Sequence, residues 1–193
     1  MKKIALLFIL VGLVFLSIGG YRYFKLQASE KQAFAEANAL LNNRDNTGQE
    51  YDIRLFDPSH GETVGLLEIE KINASLPIVE GTDPDDLERG VGHHSATAYP
   101  GQDDQILLSG HRDTVFTRLG EVEVGDILTV KLPYGDFHYE MVGAKIVDAD
   151  DRTIIQSTAP DEELVISTCY PFGYIGNAPE RYILYAKPVN VSD

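Results

Sequence analysis

From Val64 to Lys187 the chain is a succession of short β-branched and aromatic runs separated by Gly, Pro, Asn and Asp, a pattern that leaves few folds open. Apolar or alternating runs of about four to eight residues bounded by turn formers read as strands. Segments 65–72, 76–80, 105–109, 127–132, 137–147, 163–168 and 181–187 fit that description. Pro133-Tyr134-Gly135-Asp136 supplies the turn of a hairpin between two of them. One short helix is predicted after Thr82. Thr82-Asp83 offers a cap, Pro84 suits the first helical position, and Asp85 and Asp86 favour the positive end of a helix. Many short strands with little helix point to a closed barrel or a sandwich.

The N-terminus is of another kind. Lys2 and Lys3 precede an uncharged run of 17 residues from Ile4 to Gly20. That length is at the lower limit for a membrane-spanning helix and long for the apolar part of a cleaved signal peptide. The exit, Ser17-Ile18-Gly19-Gly20-Tyr21-Arg22-Tyr23, offers no clear small-x-small cleavage site, so an uncleaved signal anchor is expected. Tyr21, Tyr23 and Phe24 suit the interfacial belt. Lys2 and Lys3 lean the N-terminus inward, with Arg22 and Lys25 opposing them, and the acidity of the remainder favours the outer side. Residues 26–49, rich in Ala, Glu, Gln and Leu and free of proline, read as a helix or semi-rigid stalk ended by Asn-Asn and Asn-Thr-Gly. The expected division is therefore a membrane anchor at 1–25, a partly helical stalk at 26–62, and a β-domain at 63–193.

A net charge of −14 with no basic stripe argues against nucleic-acid binding, which needs clustered Lys and Arg on phosphates. With 193 residues the chain suffices for one well-packed domain plus an appendage. The single cysteine, Cys169, has no partner for an internal disulfide, and outside the membrane a leftover thiol is either a buried small hydrophobe or a reactive group. It ends the apolar run Leu164-Val165-Ile166-Ser167-Thr168-Cys169, at a strand exit where function concentrates. Nucleophilic catalysis by a thiolate needs a proton partner and donors for the developing oxyanion. Of His60, His93, His94, His111 and His138, only His111 also follows an apolar run and a glycine, in Ile106-Leu107-Leu108-Ser109-Gly110-His111. Arg181, at the start of the last strand, offers a fixed fork of donors; its alternative is a surface pair with a carboxylate such as Glu180.

Ser109-Gly110-His111-Arg112-Asp113-Thr114, Ser167-Thr168-Cys169-Tyr170-Pro171-Phe172, Arg181 in a following strand, Leu76-Pro77-Ile78-Val79-Glu80-Gly81, and Gly90-Val91-Gly92-His93-His94 together resemble the sortases. These are membrane-anchored cysteine transpeptidases of Gram-positive bacteria. The His-Arg-Asp-Thr and Cys-Tyr-Pro-Phe forms look most like class D. The resemblance covers about residues 64 to 188 and the anchor. It implies a mostly β fold, a closed eight-stranded β-barrel with one or two short helices behind an N-terminal anchor helix. It implies a catalytic triad of His111, Cys169 and Arg181 and a peptidase that needs no cofactor. In that scheme Cys169 attacks the Thr carbonyl of a Leu-Pro-x-Thr-Gly-like sorting signal, and His111 protonates the leaving amine. A peptidoglycan precursor or cross-bridge amine then takes the acyl group, while Arg181 holds substrate or stabilises the oxyanion. Thr168, beside the nucleophile, either contacts substrate through its hydroxyl or packs within the strand. The implied partners are surface proteins with C-terminal sorting signals, the cell-wall amine and the cytoplasmic membrane, with the catalytic domain on the wall side of a single span.

Two other classes share parts of this pattern. A membrane-anchored cysteine protease would use the same thioester and only hydrolyse it, although the Cys-Gly-Ser-Cys-Trp-like and Gln-Ala-Cys-like signatures are absent. A non-catalytic anchored β-domain would keep Cys169 as packing. No metal site is expected: His93 and His94 are adjacent, and no second cysteine completes a tetrahedral zinc set.

Overall fold

The apolar run and the Ala- and Glu-rich segment after it contain no proline, and in the computed structural model they form one helix, α1 (Lys2–Thr47). The structure describes residues 2–47, 53, 56–174 and 176–190. Gly19 and Gly20 lie inside α1; an interior glycine weakens a helix by about 1 kcal/mol, too little to break one with long helix-forming flanks. The apolar first part is exposed along Phe8, Phe15 and Leu16, and it is long and apolar enough to cross a membrane. Beyond it the helix turns amphipathic: Ala33, Ala37 and Leu41, each four residues apart, are buried, and the last two pack on Leu66.

The strands are β1 (Thr63–Ile69), β2 (Ala74–Glu80), β3 (Val91–His93), β4 (Gln105–Gly110), β5 (Ile127–Leu132), β6 (Gly135–Asp148), β7 (Glu163–Tyr170) and β8 (Glu180–Pro188). They close into a barrel in the order β1-β2-β3-β4-β7-β8-β6-β5. Closure removes the exposed edges that an open sheet would present. The β2–β3 and β4–β7 pairs are parallel and the rest antiparallel. A parallel neighbour needs a crossover, and the one between β2 and β3 carries α2 (Pro84–Leu87). Asp83 caps α2 in a capping box with Asp86, Pro84 standing in the first turn. Leu132 pairs with Gly135, so Pro133 and Tyr134 alone make the β5–β6 turn.

Side chains alternate across the wall. Ile106 and Leu108 of β4, Leu164 and Ile166 of β7, and Leu184 and Ala186 of β8 point inward to one core. Leu107, Val165 and Ile183, the intervening positions, point outward and are covered by Ile154 from the 149–162 connection. Each fully buried aliphatic side chain contributes about 1.5–3 kcal/mol, so the stretch of wall built from β4, β7 and β8 is held on both faces.

A polar cluster around His93 is sealed into this frame. His93 is 1% exposed; its Nδ1 lies 2.6 Å from Glu80 Oε2 and its Nε2 2.9 Å from Ala98 O. The Tyr99 hydroxyl donates to the same Glu80 oxygen at 2.5 Å, and the His93 and Tyr99 rings stack at 3.9 Å. Burial pushes the Glu80 carboxyl up, but hydrogen bonds from His93, Ser95 and Tyr99 outweigh it and hold the group below the usual carboxylate range. Burial, reinforced by Glu80, raises the Tyr99 phenol.

Candidate active site

The outward-facing set of β4, β7 and β8 continues to the ends of these strands, and there it changes from apolar to reactive. On β7 the outward positions run Val165, Ser167, Cys169; on β8 they run Tyr185, Ile183, Arg181. The antiparallel register sets Cys169 directly opposite Arg181, the spacing at which cross-strand side chains touch. On the other side of β7, the parallel register pairs Gly110 with Thr168, so His111 leaves β4 level with Cys169. Three residues distant in sequence therefore meet at one rim, and all three are half-buried.

Local packing explains the residue types around them. A Cβ at Gly110 would fall 2.6 Å from side-chain atoms of Val115 and Phe116, whose buried side chains fold back beneath the strand exit. Phe116 N in turn donates to His111 O at 3.0 Å. Thr168 is 2% exposed, and its hydroxyl donates to Gly110 O at 2.7 Å. The contact ties β7 to β4 one residue before both Cys169 and His111.

The rim encloses a cavity of about 470 Å³ lined by His111, Arg112, Asp113, Cys169, Gly176, Asn177, Ala178 and Arg181. Arg181 donates to Glu180 O at 3.0 Å and, at 3.4 Å, to Ala178 O. Among the described residues it forms no ion pair, so its charge is available to a developing oxyanion. Burial raises the phenol of Tyr182, its neighbour on the inward face. A thiol nucleophile, an imidazole and an unneutralised guanidinium around one cleft make a set able to form and resolve a thioester.

The remaining histidines lie elsewhere. His93 is sealed in the Glu80 cluster, His138 Nδ1 sits 3.0 Å from Thr129 Oγ1, and His94 is half-buried at the end of β3. His60, Asp83 and Asp86 bring three ligand-type atoms within 4.8 Å of one another beside α2. One of them, Asp86 Oδ2, already accepts the Asp83 amide in the helix cap.

The family model described as Sortase domain matches residues 67–189, which include the whole rim. The chain belongs to the sortase family. It is 49% identical to Sortase D of Bacillus subtilis (strain 168) over 197 residues, covering 98% of this chain and 100% of that one. A Clostridium perfringens Sortase D5 transpeptidase of known structure is 26% identical with a TM-score of 0.71, over 84% of this chain and 99% of that one. Sortase C1 from Streptococcus agalactiae is likewise 26% identical, with a TM-score of 0.62, over 71% and 72% of the two chains. Sortases are cysteine transpeptidases, and this one has a single thiol, Cys169.

Two parts of the sortase cleft carry no assigned role in the sequence. Arg112 stands in the His-Arg-Asp-Thr motif without a function of its own, and Asn177 and Ala178 are only residues before the last strand. Arg112 reaches across the cleft mouth to three backbone carbonyls, Pro171 O at 3.0 Å, Tyr174 O at 2.7 Å and Gly176 O at 2.8 Å. Backbone acceptors have no signature in residue types, so this contact needs the fold to be seen.

Proposed function

We propose that this sortase cleaves a Leu-Pro-x-Thr-Gly-like sorting signal after Thr and transfers the surface protein to an amine of the cell wall, with His111, Cys169 and Arg181 as its catalytic residues. The observation that carries the reading is the register Cys169 opposite Arg181 with His111 at the adjoining strand end, in one cavity.

The Sγ thiolate of Cys169 attacks the Thr carbonyl carbon, and the carbonyl oxygen takes up negative charge facing Arg181. The C–N bond breaks as His111 gives its proton to the leaving amine, which leaves a thioester on Cys169. An incoming amine passes a proton to His111, attacks the thioester carbon and expels the thiolate. One amide is exchanged for another, and no water is consumed. The acceptor is a peptidoglycan precursor or cross-bridge amine. The helix α1 spans the cytoplasmic membrane once, with the N-terminus inside and the barrel on the wall side, where Lys2 and Lys3 favour the inner face.

The test is the fate of the thioester. Full-length protein is given Leu-Pro-x-Thr-x peptides together with glycine peptides, diaminopimelate-type amines, stem-peptide mimics or a lipid-linked wall precursor. At least one amine should raise turnover and appear joined to the Thr carbonyl in ping-pong kinetics. If every amine leaves only free acid, the transfer step fails and a hydrolase remains.

A further inference from the structure

Arg112 is the clearest group that this mechanism does not use. It is half-buried, stands immediately after His111, and spans the cleft mouth to the connection 171–179 between β7 and β8. Its three carbonyl acceptors are spread over six residues of that connection, and its guanidinium also lies 5.7 Å from the Tyr174 ring. Among the described residues no carboxylate pairs with it. The connection begins on an anchored residue: Phe172 packs edge to face on Tyr182 at 5.3 Å and on Tyr170 at 5.7 Å. Beyond Phe172 the chain is exposed through Gly173 and Tyr174 and again from Gly176 to Asn177, so packing does not hold it there. The cation does, because one planar fork meets several carbonyls at once, which a point charge on a flexible stem cannot do.

We propose that Arg112 is a positioning residue that sets the far wall of the substrate cleft by clamping the β7–β8 connection, and thereby governs how the sorting peptide is bound. The inference rests on the sortase reading of the cleft. Asn177 and Ala178, which line the cavity, follow directly after the third clamped carbonyl at Gly176. The reacting groups depend on that wall less: the backbones of Cys169 and Arg181 are fixed by β7–β8 pairing and His111 by the end of β4, and the one link to the wall is the 3.4 Å contact from Arg181 to Ala178 O. Loss of the clamp therefore loosens binding and leaves chemistry largely in place.

The experiment compares full-length wild type with Arg112→Ala, Arg112→Gln and Arg112→Lys in detergent. Peptide cleavage kinetics, the rate of Cys169 alkylation by iodoacetamide, and chymotryptic nicking after Tyr174 are followed together. Arg112→Ala and Arg112→Gln should raise KM roughly tenfold while kcat stays within about threefold, the pattern of lost binding rather than lost transition-state contact. Arg112→Lys should fall between, Cys169 alkylation should match wild type, and nicking after Tyr174 should accelerate. Unchanged KM and unchanged nicking would overturn the clamp, as would a kcat loss of about a hundredfold at constant KM, which would put Arg112 in the chemistry itself. The nicking arm needs no peptide substrate, so it stands even if the sortase reading of the cleft fails. If Arg112→Ala does not fold, the glutamine and lysine variants carry the same comparison.

Discussion

The barrel has two walls built around arginines, and they use the same side chain in opposite ways. On the wall of β1, β2 and β5, Arg89 donates to Glu36 Oε2 at 2.9 Å and to Thr63 Oγ1 at 2.9 Å, and also to Gly61 O. Arg44 there donates to Asp136 Oδ1 at 2.6 Å and to Leu132 O at 2.9 Å. Both fasten α1 to the barrel, and both meet a carboxylate. On the wall of β4, β7 and β8, the hydrogen bonds of Arg112 and Arg181 go to backbone carbonyls, and among the described residues neither forms an ion pair. The chain's net charge is −14, yet among the described residues no carboxylate pairs with these two arginines, although Lys187 of β8 pairs with Glu163 of β7 on the same wall. The cavities make the same point. The larger, about 740 Å³ against about 470 Å³, lies beside α1, and its lining includes the paired Glu36 and Arg89. Cationic charge left without a counter-ion, rather than volume, distinguishes the wall that carries the candidate site.

The difference is broken most completely at the nucleophile. Cys169→Ala should lower peptide cleavage by about a thousandfold or more while the melting temperature stays within a few degrees, since a half-buried thiol at a strand end leaves little void. Coupled kinetics and thermal unfolding check both halves, and substantial residual cleavage would remove the thiolate mechanism. Next comes Arg181→Lys, which keeps the charge but loses the fork. Acylation should slow by roughly a hundredfold with stability unchanged, measured by rapid-quench trapping of the thioester.

The opposite wall should respond in the opposite currency. A chain begun at Leu26 should be soluble and cleave peptide, because the helix segment that packs on Leu66 is kept. Arg89→Ala in that chain should lose about 1–2 kcal/mol of stability in urea titration and less than twofold in soluble-peptide cleavage. The smallest effect is on pH. The Glu80 carboxyl titrates below its ordinary value, so its contribution is present above about pH 4.5 and is lost as the pH falls through the lowered folded value. Glu80→Gln should be less stable than wild type at neutral pH by about 1 kcal/mol, and the gap should narrow on acidification; a constant gap between pH 7 and pH 3 would contradict this.

The strands with strong β-branched content were legible in the residues alone, because apolar runs bounded by Gly, Pro and Asp have few other outcomes. β3 was not: Val91-Gly92-His93 is three residues with a glycine at its centre, too short for a period, and only its motif stood out. The helix cap at Asp83 was readable because it is local chemistry. Composition divides the unbroken α1 into two segments near residue 25, yet no residue there stops a helix. At the site, Cys169, His111 and Arg181 could be singled out by type and by their place at strand ends. Their meeting could not be read from residues, since it depends on a parallel pair between β4 and β7, which are separated by two intervening strands. Thr168 illustrates the limit: residue type allows a ligand contact or packing, and its hydrogen bond to Gly110 O appears only once β4 and β7 are paired.

The continuity of α1 turns the membrane into a reference frame. Between Gly20 and Ala33, where burial against the barrel begins, the helix has no hinge and rises about 20 Å. Lys25 already lies 3.9 Å from Glu88 on the barrel, so the two bodies meet within a few turns of the bilayer. In the barrel's ring order β1, which α1 packs against, is diametrically opposite β7, which carries Cys169. The compass bearing of the cleft relative to the lipid is thus written as a residue count. Each residue inserted into that stretch swings the cleft by about 100° about the helix axis and lifts it by about 1.5 Å away from the apolar segment.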